Sequence, residues 1–419
     1  MLECRVTMLT RVARHLLPPG ATPAAGLVLV TRALRAFGDG FVSLLLPFYL
    51  TALGFPAWQV GVLVTATLLG SGALTLAVGL LAHRWRTRTL LVAVSWLAIA
   101  TGCAMALSTD FWPLLLIAVA GTVNPSAGDT TPFLPLEHAL IARSVPAAGR
   151  TAMFARYSLV GALVAALGAQ AAVLPGLASS YWSLDPTLAM QGMFALYAVL
   201  AALALLLYRR LGARDEPPEE SPPTPLARSR RTVYTLAALF ALDSFAGGFA
   251  VQSLLALWLH DRFGLSLAVL GTIFFWAGLL AAFSFPVAAW LARRIGLVNT
   301  MVFTHLPANV FLILVPLMPT LPLALTFLLL RFALSSMDVP ARSSYVMAVV
   351  TPRERPAAAS VTAVPRSLAS AVSPMIAGWM MSLSPFGWPL VVCGGLKIVY
   401  DLSLLYMFRH VRPPEERQP

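Results

Sequence analysis

The stretch RFALSSMDVPARSSY, residues 331–345, sets two arginines and an aspartate inside otherwise apolar sequence. On an α-helix, at about 100° per residue, Arg331, Ser335, Asp338, Arg342 and Tyr345 share one face. A stripe of that kind can hold an anion, exchange a proton or form a buried ion pair. Thirteen charged side chains sit in comparable surroundings: Arg32, Arg35, Arg156, Arg331, Arg342, Arg366 and Lys397, with Asp39, Asp129, Glu137, Asp243, Asp338 and Asp401. An unpaired charge at the centre of a bilayer costs roughly 2.5–3.5 kcal/mol on insertion scales. Seven cations against six anions therefore predict that most of these groups pair or face water.

The apolar runs that carry them define the elements. The 419 residues are 58% hydrophobic and only 11% charged, a surface chemistry that soluble proteins do not tolerate. Twelve runs are each close to the roughly 20 residues that cross a bilayer as a helix. They cover 26–53, 57–82, 88–108, 111–140, 152–176, 187–210, 232–259, 265–292, 298–317, 320–348, 357–382 and 387–408. The expectation is an all-α membrane protein of twelve transmembrane helices, kinked where proline falls inside a run.

The net charge of +12 is topological. Of 29 Lys and Arg, 21 lie in the tails and loops on one side of such a bundle and one, Arg262, on the other. This skew is the positive-inside pattern. It predicts both termini in the cytoplasm and a multi-pass protein of the bacterial cytoplasmic membrane, and it argues against nucleic-acid binding. Cys4, Cys103 and Cys393 have no metal or redox spacing. The basic, mildly amphipathic residues 1–25 lack a signal-peptide core and read as a cytoplasmic tail. No phosphate loop or nucleophile elbow occurs, so neither a cofactor nor an enzymatic activity is expected.

The one long hydrophilic stretch, RRLGARDEPPEESPPTPLARSRR at 209–231, divides the chain. The expected organisation is a tail at 1–25, a six-helix bundle at 26–210, a linker at 211–231, a second bundle at 232–408 and a tail at 409–419. The halves echo each other at a nearly constant offset. Gly40 corresponds to Gly248, Gly54 to Gly264, Gly61 to Gly271, Arg84 to Arg294, Asp129 to Asp338 and Arg156 to Arg366. An offset spanning an even number of helices gives two parallel repeats, a transporter architecture.

With twelve spans, a parallel repeat and a central linker, the sequence resembles the major facilitator superfamily over essentially its whole length from about residue 26. The loop after the second run reads GLLAHRWRTR, in which Gly79, Arg84 and Arg88 match that family's Gly-x-x-x-Asp-Arg-x-Gly-Arg-Arg and His83 replaces the Asp. The second half reads AWLARRIGL, with Arg294 and Gly296 in register. The resemblance implies a monomeric secondary transporter. It would move a small solute by alternating access, driven by protons or by the solute's own gradient, with helices 1, 4, 7 and 10 lining the cavity. Uptake and efflux both remain open. The alternative is a membrane-embedded enzyme or a non-transporting receptor on the same scaffold.

Depth then sorts the charges. At about 1.5 Å per residue, Asp129 and Asp338 fall roughly 27 Å down helices 4 and 10, near the cytoplasmic surface. The expected cytoplasmic gate comprises the pairs Asp129–Arg156 and Asp338–Arg366, with Arg84 and Arg342. Glu137 and Arg143 join them, in a layout similar to that of sugar-type facilitators at the end of helix 4. Pro132 and Pro340 should bend both helices. The expected cavity set is deeper and comprises Asp39, Asp243, Arg331, Lys397 and Arg35. Asp39 is either a proton-exchanging carboxylate or a static partner of Arg35 or Lys397. Arg331 is the candidate for holding an anionic group, because its guanidinium stays charged. Lys397, the only lysine among 28 arginines, has Asp401 one turn away as its expected partner. His138 and His305 are read as interfacial.

Overall fold

The computed structural model describes residues 17, 20–81, 85–125, 131–146, 150–212, 229–350 and 354–410. Arg84, Asp129, most of the linker and most of both tails lie outside the described residues. Among those described, regular structure is helical throughout.

The chain divides into two compact units. The N-terminal unit comprises the chain to Gly54, Ala66–Glu220 and Ser266–Phe275. The C-terminal unit comprises Phe55–Thr65, Ser221–Leu265 and the chain from Trp276. Each unit therefore takes a short segment from a helix of the other sequence half.

The first half forms α1 (Pro23–Ala52), α2 (Ala57–Leu81), α3 (Thr87–Leu107), α4 (Phe111–Ala120), α5 (Phe133–Ser144), α6 (Arg150–Ala171), α7 (Leu174–Trp182) and α8 (Pro186–Tyr208). Prolines enter α1, α7 and α8 within the first two residues, where no N–H is needed. The Asp185 carboxylate caps α8 by accepting from the N–H groups of Thr187 and Leu188 at 2.9 and 3.1 Å. In the N-terminal unit α1 packs on α5, α6 and α8, and α3 packs on α8. Gly40 makes the α1–α6 crossing close, since a Cβ there would run into the Ala165 carbonyl.

The second half forms α9 (Arg230–Gly248), α10 (Gln252–Phe263), α11 (Leu267–Ile295), α12 (Leu297–Leu314), α13 (Leu321–Ser335), α14 (Asp338–Val349), α15 (Arg355–Leu383) and α16 (Trp388–Phe408). Gly264, at φ 65°, ends α10 and donates its N–H to the His260 carbonyl at 2.7 Å. In the C-terminal unit α9 packs on α15 and α16, and α12 packs on α13, α14 and α16. The α9–α15 crossing repeats the glycine device, with Gly248 against Ser370 and Ser373.

Among the described residues ten segments are long and apolar enough to cross a membrane. Large apolar side chains also face outward: Trp112 and Leu116 are 72% exposed, which water would not allow but lipid favours. This is a multi-pass membrane protein. The expected spans differ in form. The 111–140 run is α4 and α5, separated by irregular backbone at Gly121–Asn124. The 357–382 run lies inside α15, a 29-residue helix about 43 Å long that contains Pro365 and Pro374. The run at 320–348 also breaks, at Ser336–Met337 between α13 and α14. Pro340 cannot donate to the Ser336 carbonyl, so continuous helix stops there. Pro132 stands just before α5 in the same way.

Candidate functional site

In the N-terminal unit the interior charges gather on one carboxylate. Thr31 and Arg35 lie one turn apart on the same face of α1. Both reach Glu137 of α5: the Arg35 guanidinium pairs with it, and the Thr31 hydroxyl donates to it at 3.1 Å. Tyr157 of α6 and Tyr208 at the end of α8 donate their hydroxyls to the same carboxylate, each at 2.5 Å. Glu137 is fully buried and accepts from four side chains on three helices. Aromatic rings shield it further. Arg35 lies 4.2 Å from the centre of the Phe133 ring, and Arg32 lies 5.1 Å from that of Tyr157.

Asp39, one turn beyond Arg35, is also buried, at 3% exposure. It makes no hydrogen bond or ion pair among the described residues, and its electrostatic neighbours are Arg35, Arg32 and Glu137. It lines a cavity of about 20 Å3 together with Arg35, Thr122, Thr131 and Tyr197. That volume suits one water molecule. Arg35 Nε and Thr131 Oγ1 are buried there without a partner, so two protein atoms beside Asp39 are available to such a water.

In the C-terminal unit the charges form a chain. Lys397 of α16 donates to Asp243 Oδ1 of α9 at 2.5 Å. Arg342 of α14 lies 3.2 Å from Asp243 Oδ2 and also pairs with Asp338, one turn earlier on its own helix. Asp401 of α16 takes His305 Nδ1 on one oxygen and Asn309 Nδ2 on the other, both at 2.9 Å. His305 Nε2 points at Asp243 Oδ1 from 4.0 Å. All seven side chains are buried.

These contacts redistribute the residues that depth had separated. Glu137, expected at the gate, meets Arg35, expected in the cavity. Arg342 and Asp338, expected at the gate, join Asp243 and Lys397. The depth count assumed unbroken helices from 111 and from 320, and both are interrupted. The expected Lys397–Asp401 pair is not formed: Lys397 goes to Asp243, and Asp401 to His305 and Asn309. Neither Arg35 nor Lys397 is the static partner of Asp39. The ion pair drawn from Asp338 goes to Arg342, while Arg366 donates from Nε to Ser244 at 3.2 Å. Arg156 of α6 has a buried Nη1 without a hydrogen bond, and its expected partner Asp129 lies outside the described residues. Arg143 is half-buried near the end of α5.

Arg331 of α13 stands apart. Its Nε is buried without a hydrogen bond, its guanidinium lies 5.0 Å from the adjoining Phe332 ring, and its electrostatic neighbour is the Cys393 thiol. No carboxylate pairs with it among the described residues. Sequence reasoning missed Thr31, Tyr157, Tyr208 and Asn309, and it set His305 at an interface instead of in the interior. For the last two a signal existed: His305 and Asn309, four residues apart, put two polar groups on one face of an apolar helix.

Comparison with known proteins fits this architecture. The family model of the Major Facilitator Superfamily matches residues 28–337. The uncharacterized membrane protein YJR124C of Saccharomyces cerevisiae is 27% identical over 423 residues, covering 92% of this chain and 94% of the yeast protein. Among solved structures, the nucleoside transporter NupG superposes with a TM-score of 0.69 at 16% identity, over 93% of this chain and all of that one. An auto-inhibited peptide transporter of the POT family gives 0.70 at 13% identity, over 95% and 99%. The human organic anion transporter MFSD10 gives 0.64 at 20% identity, over 92% and 100%. At these identities the structural likeness carries the fold.

Proposed function

The chain belongs to the Major Facilitator Superfamily, and from that premise we propose that it is a proton-coupled secondary transporter of a small anionic or zwitterionic solute. Alternating access would move the solute, and no chemistry would be done on it. One observation carries this reading: among the described residues an interior anion, Asp39, and an interior cation, Arg331, make no hydrogen bond or ion pair. Structural charges in a membrane protein are paired, because each unpaired one costs several kcal/mol, roughly 2.5–3.5 on insertion scales. Charges left open are those available to a ligand or a proton.

Arg331 is the group assigned to the solute's anionic end, since guanidinium cannot be neutralised and offers a fork of donors. Asp39, beside a water-sized cavity, is assigned to the proton. Asp338, Arg342, Arg366, Arg156 and Arg143 form the gate, with Arg84 and Asp129 joining them on the strength of the sequence repeat. The skew of arginines supports a cytoplasmic-membrane location with both termini inside, and the protein works as a monomer.

A thermal-shift screen tests this. The purified full-length protein is heated with organic acids, amino acids and sugars, beside Arg331→Ala and Asp39→Asn. A solute at a hundred times its Kd stabilises the folded state by about 2.7 kcal/mol. Anions or zwitterions should raise the melting temperature of the wild type and leave Arg331→Ala unmoved. In proteoliposomes the same solute should drive an internal pH change that Asp39→Asn abolishes. A hit that ignores Arg331→Ala would remove the solute assignment, and transport without a pH change would remove the proton.

A further inference from the structure

The charges around His305 do not balance. The hydrogen-bonded network holds three carboxylates, Asp243 from α9, Asp338 from α14 and Asp401 from α16. It holds two permanent cations, Arg342 from α14 and Lys397 from α16. With a neutral imidazole and all three carboxylates ionised it carries one uncompensated negative charge inside the membrane domain. The other charged groups nearby stand outside it. Arg331, on the adjacent α13, has Cys393 as its electrostatic neighbour, and Arg366 of α15 is bonded to Ser244. The Tyr400 ring meets His305 edge-on at 6.1 Å, with its buried hydroxyl unbonded.

The tautomer follows from the bonds. Asp401 Oδ2 accepts from Asn309, whose Nδ2 also lies 3.2 Å from His305 Nδ1; with Asp401 ionised, a carboxylate can only accept, so the hydrogen between His305 Nδ1 and Asp401 Oδ1 belongs to the imidazole. The lone pair is then on Nε2, the nitrogen that faces Asp243 Oδ1 at 4.0 Å. That oxygen is the one held by Lys397. Imidazole is the side chain suited to exchanging a proton at physiological pH.

We infer that His305 Nε2 is a proton-binding site, and that its protonation loosens Lys397 from Asp243. A proton taken from water forms an N–H bond at Nε2, brings the network to neutrality and turns Nε2 into a donor toward Asp243 Oδ1. Imidazolium and ammonium, two like charges, then face one oxygen, and their repulsion weakens the contact tying α16 to α9. The site deepens the proton-coupled reading above by giving the C-terminal unit its own proton carrier, distinct from Asp39.

Lys397 makes the test clean, because it is the only lysine in the chain. Full-length protein in nanodiscs, 15N-labelled on lysine and histidine, is titrated by NMR from about pH 8.5 to about pH 5. His305 should pass from the Nδ1–H tautomer to imidazolium, and the single lysine Nζ signal should shift at the same midpoint. In His305→Gln, whose amide can still bond Asp401, the lysine signal should lose that shift. A histidine that stays neutral throughout overturns the inference, as does a lysine shift that survives His305→Gln. Should that variant not fold, the wild type decides: separate histidine and lysine midpoints overturn it and a shared one supports it. No solute is needed. A titrating His305 in a protein that shows no solute-driven pH change would keep this site and sink proton coupling. A silent His305 in a coupled transporter would do the reverse.

Discussion

In the N-terminal unit one carboxylate, Glu137, gathers Arg35, Thr31, Tyr157 and Tyr208. In the C-terminal unit three carboxylates are strung through two cations and a histidine. The two clusters sit on corresponding spans. Arg35 and Asp243 are 208 residues apart, the same spacing as Gly40 and Gly248, whereas Glu137 and Arg342, 205 apart, share a span but fall out of register by about one turn. Each repeat thus joins its first span to its fourth by an ion pair, but with the signs exchanged. The burial of a bridged pair between those two spans is common to the repeats, while which helix supplies the cation is not. The wiring also differs. A hub concentrates its bonds on one residue, whereas in a chain a lost link leaves its neighbours with other partners.

That contrast can be broken by substitution. Glu137→Gln should have the largest effect, about 3–5 kcal/mol, because it strands the buried Arg35 charge. Chemical denaturation in detergent measures it, and a loss below about 1 kcal/mol would mean that Glu137 is no hub. Next comes Gly40→Ala, where the new methyl meets backbone and α1 and α6 must separate, at about 1–3 kcal/mol. Gly248→Ala should cost a similar amount at the α9–α15 crossing, and strongly unequal losses would break the equivalence of the two crossings. Tyr157→Phe removes one of four donors and should cost about 0.5–1.5 kcal/mol. The smallest stability change belongs to Asp338→Asn, under about 1 kcal/mol, since Arg342 keeps Asp243. That variant should instead shift the balance between inward and outward states, seen as altered accessibility labelling on the two sides. Unchanged labelling would remove Asp338 from the gate.

The helical membrane architecture was legible because hydropathy and run length constrain it strongly. The interior charges were legible as a set for the same reason, since polarity inside an apolar run is conspicuous. Their pairing was not. Rise per residue places Glu137 or Asp338 only if the helix is continuous, and the breaks at 121–124 and 336–337 void that count. Pro132 and Pro340 marked the places, but a proline announces a bend without giving its direction. Tyr157 and Tyr208 could not be found at all: an aromatic residue in an apolar helix looks the same whether its hydroxyl reaches an interface or a buried carboxylate.

The exchange of short segments between the units has a consequence for biosynthesis. Ser266–Phe275 completes the N-terminal unit, packing Gly271 against Ala169, yet its last residue lies 55 positions beyond Glu220, where the main body of that unit ends (275 − 220). At about 5–20 residues per second, the ribosome needs roughly 3–11 s to cover that distance. For that interval the first bundle sits in the membrane with one side unfinished, open to quality-control factors and to wrong partners. A slow stretch of translation after the linker would lengthen that interval.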